Sequence, residues 1–180
     1  EPELNNNFSP KEIFKKEYTG DFIRYAIYGM RELADAIFWP LFIFLIMKEV
    51  LSLGTIVSIA YVITAVASLG IGRFADHGKT TKVTRAAMII DAISWPARML
   101  AKTFASILSV TVLSFLTFAL LDVTSHKKFY DSMKGSIEYV TMREIAMASG
   151  RVIITLAILL LGFKGGFIIT GIGRAIYALL

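Results

Sequence analysis

Of the 180 residues, 56% are hydrophobic and 18% charged, and the mean hydropathy is +0.64. That balance excludes a soluble domain of this length, whose surface must carry more polar atoms. The formal charge of +5 does not mark a nucleic-acid binder, because the basic residues sit between apolar runs rather than in one patch. With no cysteine, disulfides and thiolate metal sites are excluded too.

Residues 1–21 read as a cytoplasmic or interfacial N-terminal segment, followed by a membrane domain over 22–180. The first residues are polar and contain no apolar signal-peptide core. Ser9, Pro10 and Glu12 form a helix start, with Ser9 as cap and Glu12 three residues on. Ile13, Phe14, Lys15, Lys16 and Tyr18 then mix apolar and basic groups, which suits an interfacial helix. The missing initiator Met and the ending Ala178-Leu179-Leu180 point to trimming at both ends.

Apolar runs predict an all-α, polytopic protein of six transmembrane helices, over 22–47, 55–75, 86–101, 104–122, 137–163 and 166–180. Ten basic residues (Lys11, Lys15, Lys16, Arg24, Lys79, Lys82, Arg85, Lys127, Lys128, Lys134) occupy alternate joints, and three (Lys48, Lys102, Lys164) occupy the others. By the positive-inside rule both termini are expected to be cytoplasmic, in a plasma (inner) membrane.

Charges inside spans are costly, about 2.5–3.5 kcal/mol each at a helix centre, so each needs a partner or a role. The first span carries Arg31, Glu32 and Asp35, with Tyr28 and Trp39 extending the same stripe. Arg31 and Asp35 are four apart and can pair. The pair either lowers insertion cost or serves transport, and Glu32 is left as a surplus acid suited to coupling a proton or cation. In the third span Asp91, Trp95, Arg98 and Lys102 follow one another at steps of four, three and four and share a side. They either line a water-filled path or, for Arg98 and Lys102, snorkel to the surface. Arg151 has no acid on its own helical face and needs one from another helix. Trp39-Pro40 and Trp95-Pro96 place a proline inside a span, either as a moving bend or as a static kink. Glycines 162, 165, 166, 171 and 173 read as close packing.

The loop after the second span reads Gly72-Arg73-Phe74-Ala75-Asp76-His77-Gly78-Lys79-Thr80-Thr81-Lys82. Through Gly72, Asp76, Gly78, Lys79 and Lys82 it resembles the signature loop of the major facilitator superfamily. His77 departs from the family's usual basic residue, and the turn is one residue shorter. The resemblance implies a six-helix half of such a transporter, completed by a second copy in a homodimer or by a second six-helix half. Arg143 and Arg151 would mark the fifth helix, with an Asp76–Arg143 latch at the cytoplasmic gate.

The function expected is secondary active transport of a small solute, coupled to a proton or cation, by alternating access between two bundles in membrane lipid. The alternative is a non-transporting helical module that assembles with, or scaffolds, another subunit. No nucleophile–base set, phosphate loop or metal-ligand spacing is present, so neither an enzyme nor a cofactor is expected. His77 and His126 are too far apart to make a metal site.

Overall fold

The computed structural model describes residues 13, 15–76, 80–133 and 136–179, without the side chains of 71–83, 123–128 and 130–133. After a single 3₁₀ turn at Lys16–Tyr18, helix α1 (Thr19–Leu33) passes through a π turn (Ala34–Phe38) into α2 (Trp39–Met47) without a break. The π turn has a local cause. Pro40 has no N–H to give to the carbonyl one turn back, and the Trp39 N–H reaches the Ala34 carbonyl instead, closing a wider ring. Lys48, at φ 55°, ends α2 in the left-handed conformation.

Three further helices follow: α3 (Val50–Asp76), α4 (Thr80–Ala97) and α5 (Phe104–Met133). Pro96 lies in the last turn of α4, which ends in a 3₁₀ turn at Arg98–Leu100. The last element, α6 (Ile137–Leu179), is broken at Gly162, where φ is 71° and ψ 178°. Both arms return to one stretch of α1. Backbone atoms of Ala26 and Met30 crowd Gly150 on the first arm, and Ile27 and Met30 pack against Gly173 on the second. In an unbroken helix those two glycines would lie about 34 Å apart. The arms are therefore an antiparallel hairpin with Gly162 at its bend, a conformation that glycine adopts without steric cost.

The first arm packs against α1 through paired glycines. Gly150 faces the Ala26 carbonyl and Gly29 faces the Met147 backbone, so any side chain at either would push the helices apart. The core runs from Met30 and Ala34 through Trp39, Ile43, Ile56, Trp95, Ile107 and Ile154 to Phe167. Many other large apolar side chains point outward, as with Leu69 at 76% exposure and Leu160 at 80%. Water disfavours such a surface, whereas lipid tails are as apolar as leucine.

The expectation of six spans is overturned. Among the described residues three helices are long and apolar enough to cross a membrane: Val50–Gly70, Phe104–Asp122 and Ile137–Leu179. The rod Thr19–Met47 and helix α4 fall short because charge interrupts their apolar runs, at Arg24, Arg31, Glu32 and Asp35 in one and at Lys82, Arg85 and Asp91 in the other. The stretches read as fifth and sixth spans belong to the single folded element α6. A six-helix, major-facilitator-type half bundle is therefore not what these residues form, and the placing of both termini from the joints between six spans loses its basis. The all-α class holds, and the three apolar helices mark a membrane-embedded protein. The proposed cap at Ser9 and most of the expected interfacial helix lie outside the described residues, of which Lys16–Tyr18 form a 3₁₀ turn.

Candidate functional site

Charge enters this core in one row. Arg31 of α1 forks onto Asp91 of α4, Nε to Oδ2 at 3.0 Å and Nη2 to Oδ1 at 3.1 Å. Its Nη1 lies 2.6 Å from Asp35 Oδ2, one turn along the rod. Arg174, on the second arm of α6, donates from Nε to Asp91 Oδ2 at 2.6 Å. At the other end Arg98 places Nη2 2.7 Å from Asp35 Oδ1, near enough to pair though without hydrogen-bond alignment. The order is Arg174, Asp91, Arg31, Asp35, Arg98, so that each carboxylate lies between two guanidiniums. Arg31, Asp91, Arg98 and Arg174 are essentially fully buried, and only Asp35 retains some exposure, at 13%.

Hydroxyl groups of α5 complete the row. Ser114 accepts from Arg31 Nη2 at both its carbonyl (3.0 Å) and its Oγ (3.3 Å), and its Oγ also accepts from Arg98 Nη2. Thr117 donates to Asp91 Oδ1 at 3.2 Å. Aromatic faces cover the guanidiniums. Arg31 lies 4.2 Å from the Phe118 ring centre, and Arg98 sits 4.7 Å from that of Trp39 and 3.7 Å from that of Trp95.

The row meets a cavity of about 180 Å³ walled by α1, the π turn, α3 and α5. Arg31 and Asp35 reach it from the row, beside Glu32, Tyr61, Thr64 and Phe118. Glu32 is not the surplus acid expected, since Arg151 of α6 donates to its Oε2 from Nη2 at 2.6 Å and from Nε at 3.2 Å. That pair is only half-buried, at 39% and 40% exposure. Tyr28, one turn before Glu32, donates to Asp122 Oδ1 at 2.5 Å.

A second polar cluster joins the start of α1 to the start of α6. Tyr139 donates to Asp21 at 3.0 Å and its hydroxyl lies 3.4 Å from that of Tyr25, while Arg24 pairs with Asp21 at 3.0 Å. Tyr18, Tyr25 and Phe129 pack their rings around Tyr139. Burial, helped by the neighbouring Tyr139 hydroxyl, pushes the Tyr25 phenol well above its ordinary pKa.

Of the residues expected from sequence, Arg31, Asp35, Asp91 and Arg98 come together in the row, and Trp95 stacks on Arg98. Arg98 does not snorkel; it is fully buried. Arg151 finds its acid in Glu32. Arg143 lies apart, paired with Glu144 at 3.0 Å and over Phe129 at 4.6 Å. Gly72, Asp76 and Lys82 lie on α3 and α4, but their side chains are outside the described residues, as are Gly78 and Lys79 altogether. The Asp76–Arg143 latch thus has one end outside them.

Sequence reading missed Arg174, Ser114 and Thr117. The signal for Arg174 was present: a basic residue inside an apolar stretch with no acid nearby, the same pattern that marked Arg151. Among the described residues no group of three His, Cys, Asp or Glu side chains is placed to hold a metal. No protein-family model matches the chain, and neither a curated protein nor a solved structure matches it.

Proposed function

We propose that this chain is a membrane transport protein that moves a small solute past the buried ion-pair row, with Asp35 as the carboxylate that couples the movement to a proton or cation. The supporting observation is the contact between the row and the cavity, where Asp35 is the one row acid with exposure and also lines the cavity wall. A membrane bundle held together for its own sake gains little from such a row, because desolvation offsets most of the attraction and apolar residues of similar volume serve as well. A row in which carboxylates and guanidiniums alternate can, however, exchange partners. Neutralising Asp35 releases Arg98 and one arm of Arg31, whose other arm stays on Asp91, and changes the cavity wall at the same time. The π turn places this acid where the helix is already widened, a frequent setting for functional residues.

Self-association into a dimer and residence in the plasma (inner) membrane belong to the same proposal, as does the likeness of loop 72–82 to a transporter signature. The test is flux in liposomes reconstituted with the purified chain. Solute uptake driven by a pH or sodium gradient, lost in D35N and retained in the lipid-facing variant L160A, is the expected result. Absence of gradient-driven flux for every solute class tried sinks the transport reading and leaves a non-transporting membrane module.

A further inference from the structure

The row is not balanced. Three guanidiniums face two carboxylates, and Asp91 is already saturated with donors. Asp91 takes Arg31 twice, Arg174 and Thr117; Asp35 lies against Arg31 and Arg98. Of the buried side-chain atoms left without a hydrogen bond, Asp35 Oδ1 and Thr84 Oγ1 can accept, and the others, Arg174 Nη2 among them, are donors. Among the described residues nothing accepts a hydrogen bond from Arg98 Nε, Arg98 Nη1 or Trp95 Nε1, all of them buried. These donors are neighbours, because the Arg98 guanidinium lies 3.7 Å from the Trp95 ring centre. The contrast with the other tryptophan is direct. Trp39 Nε1, whose ring centre lies 4.7 Å from the same guanidinium, donates to Thr111 Oγ1 at 3.0 Å. Buried tryptophan and arginine N–H groups are normally paired, because a bare one forfeits its bonds to water without replacement.

We infer that the solute is a small monovalent anion, received at the Arg98 end of the row by the unpaired donors of Arg98 and Trp95. This deepens the transport reading above and rests on it. One negative charge matches the single surplus guanidinium, and an acceptor-only ligand matches a set of groups that are all donors. Asp35, beside the same guanidinium, would compete with the anion for Arg98. Neutralising that acid therefore favours the loaded state, which links the ligand's charge to the coupling residue.

The two tryptophans of the chain, Trp39 and Trp95, both lie against Arg98, so intrinsic fluorescence reads the site. The purified chain in nanodiscs is titrated with sodium chloride or sodium acetate, ionic strength being held with sodium gluconate. A saturable emission change, unaltered when choline replaces sodium, is expected. Chloride and acetate in separate arms tell a halide from a carboxylate solute. W95F keeps the ring, loses the N–H and leaves Trp39 as reporter; its half-saturation should rise about fivefold, the worth of one hydrogen bond. R98Q should weaken binding tenfold or more, and W95F alone carries the test if R98Q does not fold. Emission indifferent to both anions, a saturable response to tetraethylammonium instead, or unchanged half-saturation in W95F overturns the inference. Anion binding without liposome flux leaves it standing and removes the transport reading. Gradient-driven flux of a solute with no anion response does the reverse.

Discussion

Two clusters tie α1 to α6, and they do so by different physics. Near the start of both helices, tyrosine rings meet edge to face around Tyr139, and their hydroxyls and Asp21 share neutral or singly charged hydrogen bonds. Three turns along α1, the same two elements are joined through Asp91 by whole charges, with Arg31 from one side and Arg174 from the other. Removing one hydroxyl from the tyrosine cluster leaves its rings packed. Removing one carboxylate from the row leaves a terminal guanidinium buried without a counter-charge and Arg31 with one partner instead of two. The difference teaches where this fold tolerates change, and it can be put to measurement.

Asp91→Ala should have the largest effect, a loss of about 3–5 kcal/mol, because Arg174 is stranded in the core and Arg31 keeps only Asp35. Thermal unfolding in nanodiscs reads it, and a melting temperature near that of the parent chain would show that the row does not hold the helices together. Gly150→Leu comes next. It tests the backbone contact that lies between the clusters, and forcing a side chain against the Ala26 carbonyl should cost about 1–3 kcal/mol. Tyr139→Phe keeps the rings and deletes the bond to Asp21, for about 0.5–1.5 kcal/mol. A loss as large as that of Asp91→Ala would erase the distinction between the clusters.

Glu32→Gln breaks a half-exposed pair and should change stability by less than about 1 kcal/mol, so that a defect in flux without a defect in folding separates its cavity role from any structural one. The smallest effect is reserved for alkaline pH. Burial holds the Tyr25 phenol above the ordinary tyrosine range, so the unfolded chain releases that proton first and stability falls as pH climbs above about 10. Tyr25→Phe should flatten part of that decline in chemical or thermal melts between pH 9 and 11. A slope identical to the parent's would mean that Tyr25 is not held neutral by its surroundings.

Parts of this arrangement were legible in the residues alone. Arg31 and Asp35 stand one helical turn apart, and Asp91, Trp95 and Arg98 share one side of a helix, so local spacing found most of the row. Arg174 escaped because it is 83 residues from Asp91, and only the turn at Gly162 brings it back. The partner of Glu32 lies 119 residues away, and no local pattern announces it. The same cause produced the error in the fold. Apolar runs were counted as spans wherever they occurred, whereas the charged stretches Thr19–Met47 and Thr80–Ala97 reach their place beside the apolar helices through partners distant in sequence. The π turn had its marker in Pro40, but a proline predicts a disturbance of the helix without saying which kind.

The bend at Gly162 also sets an order in time. As the chain emerges, Arg31 and Asp91 are made early, and they can pair once α4 is complete. Arg174 is synthesised last, on the arm that must double back before it reaches them. Until then the forming bundle holds Asp91 with one of its two guanidiniums, and the row closes only when the second arm of α6 has folded back.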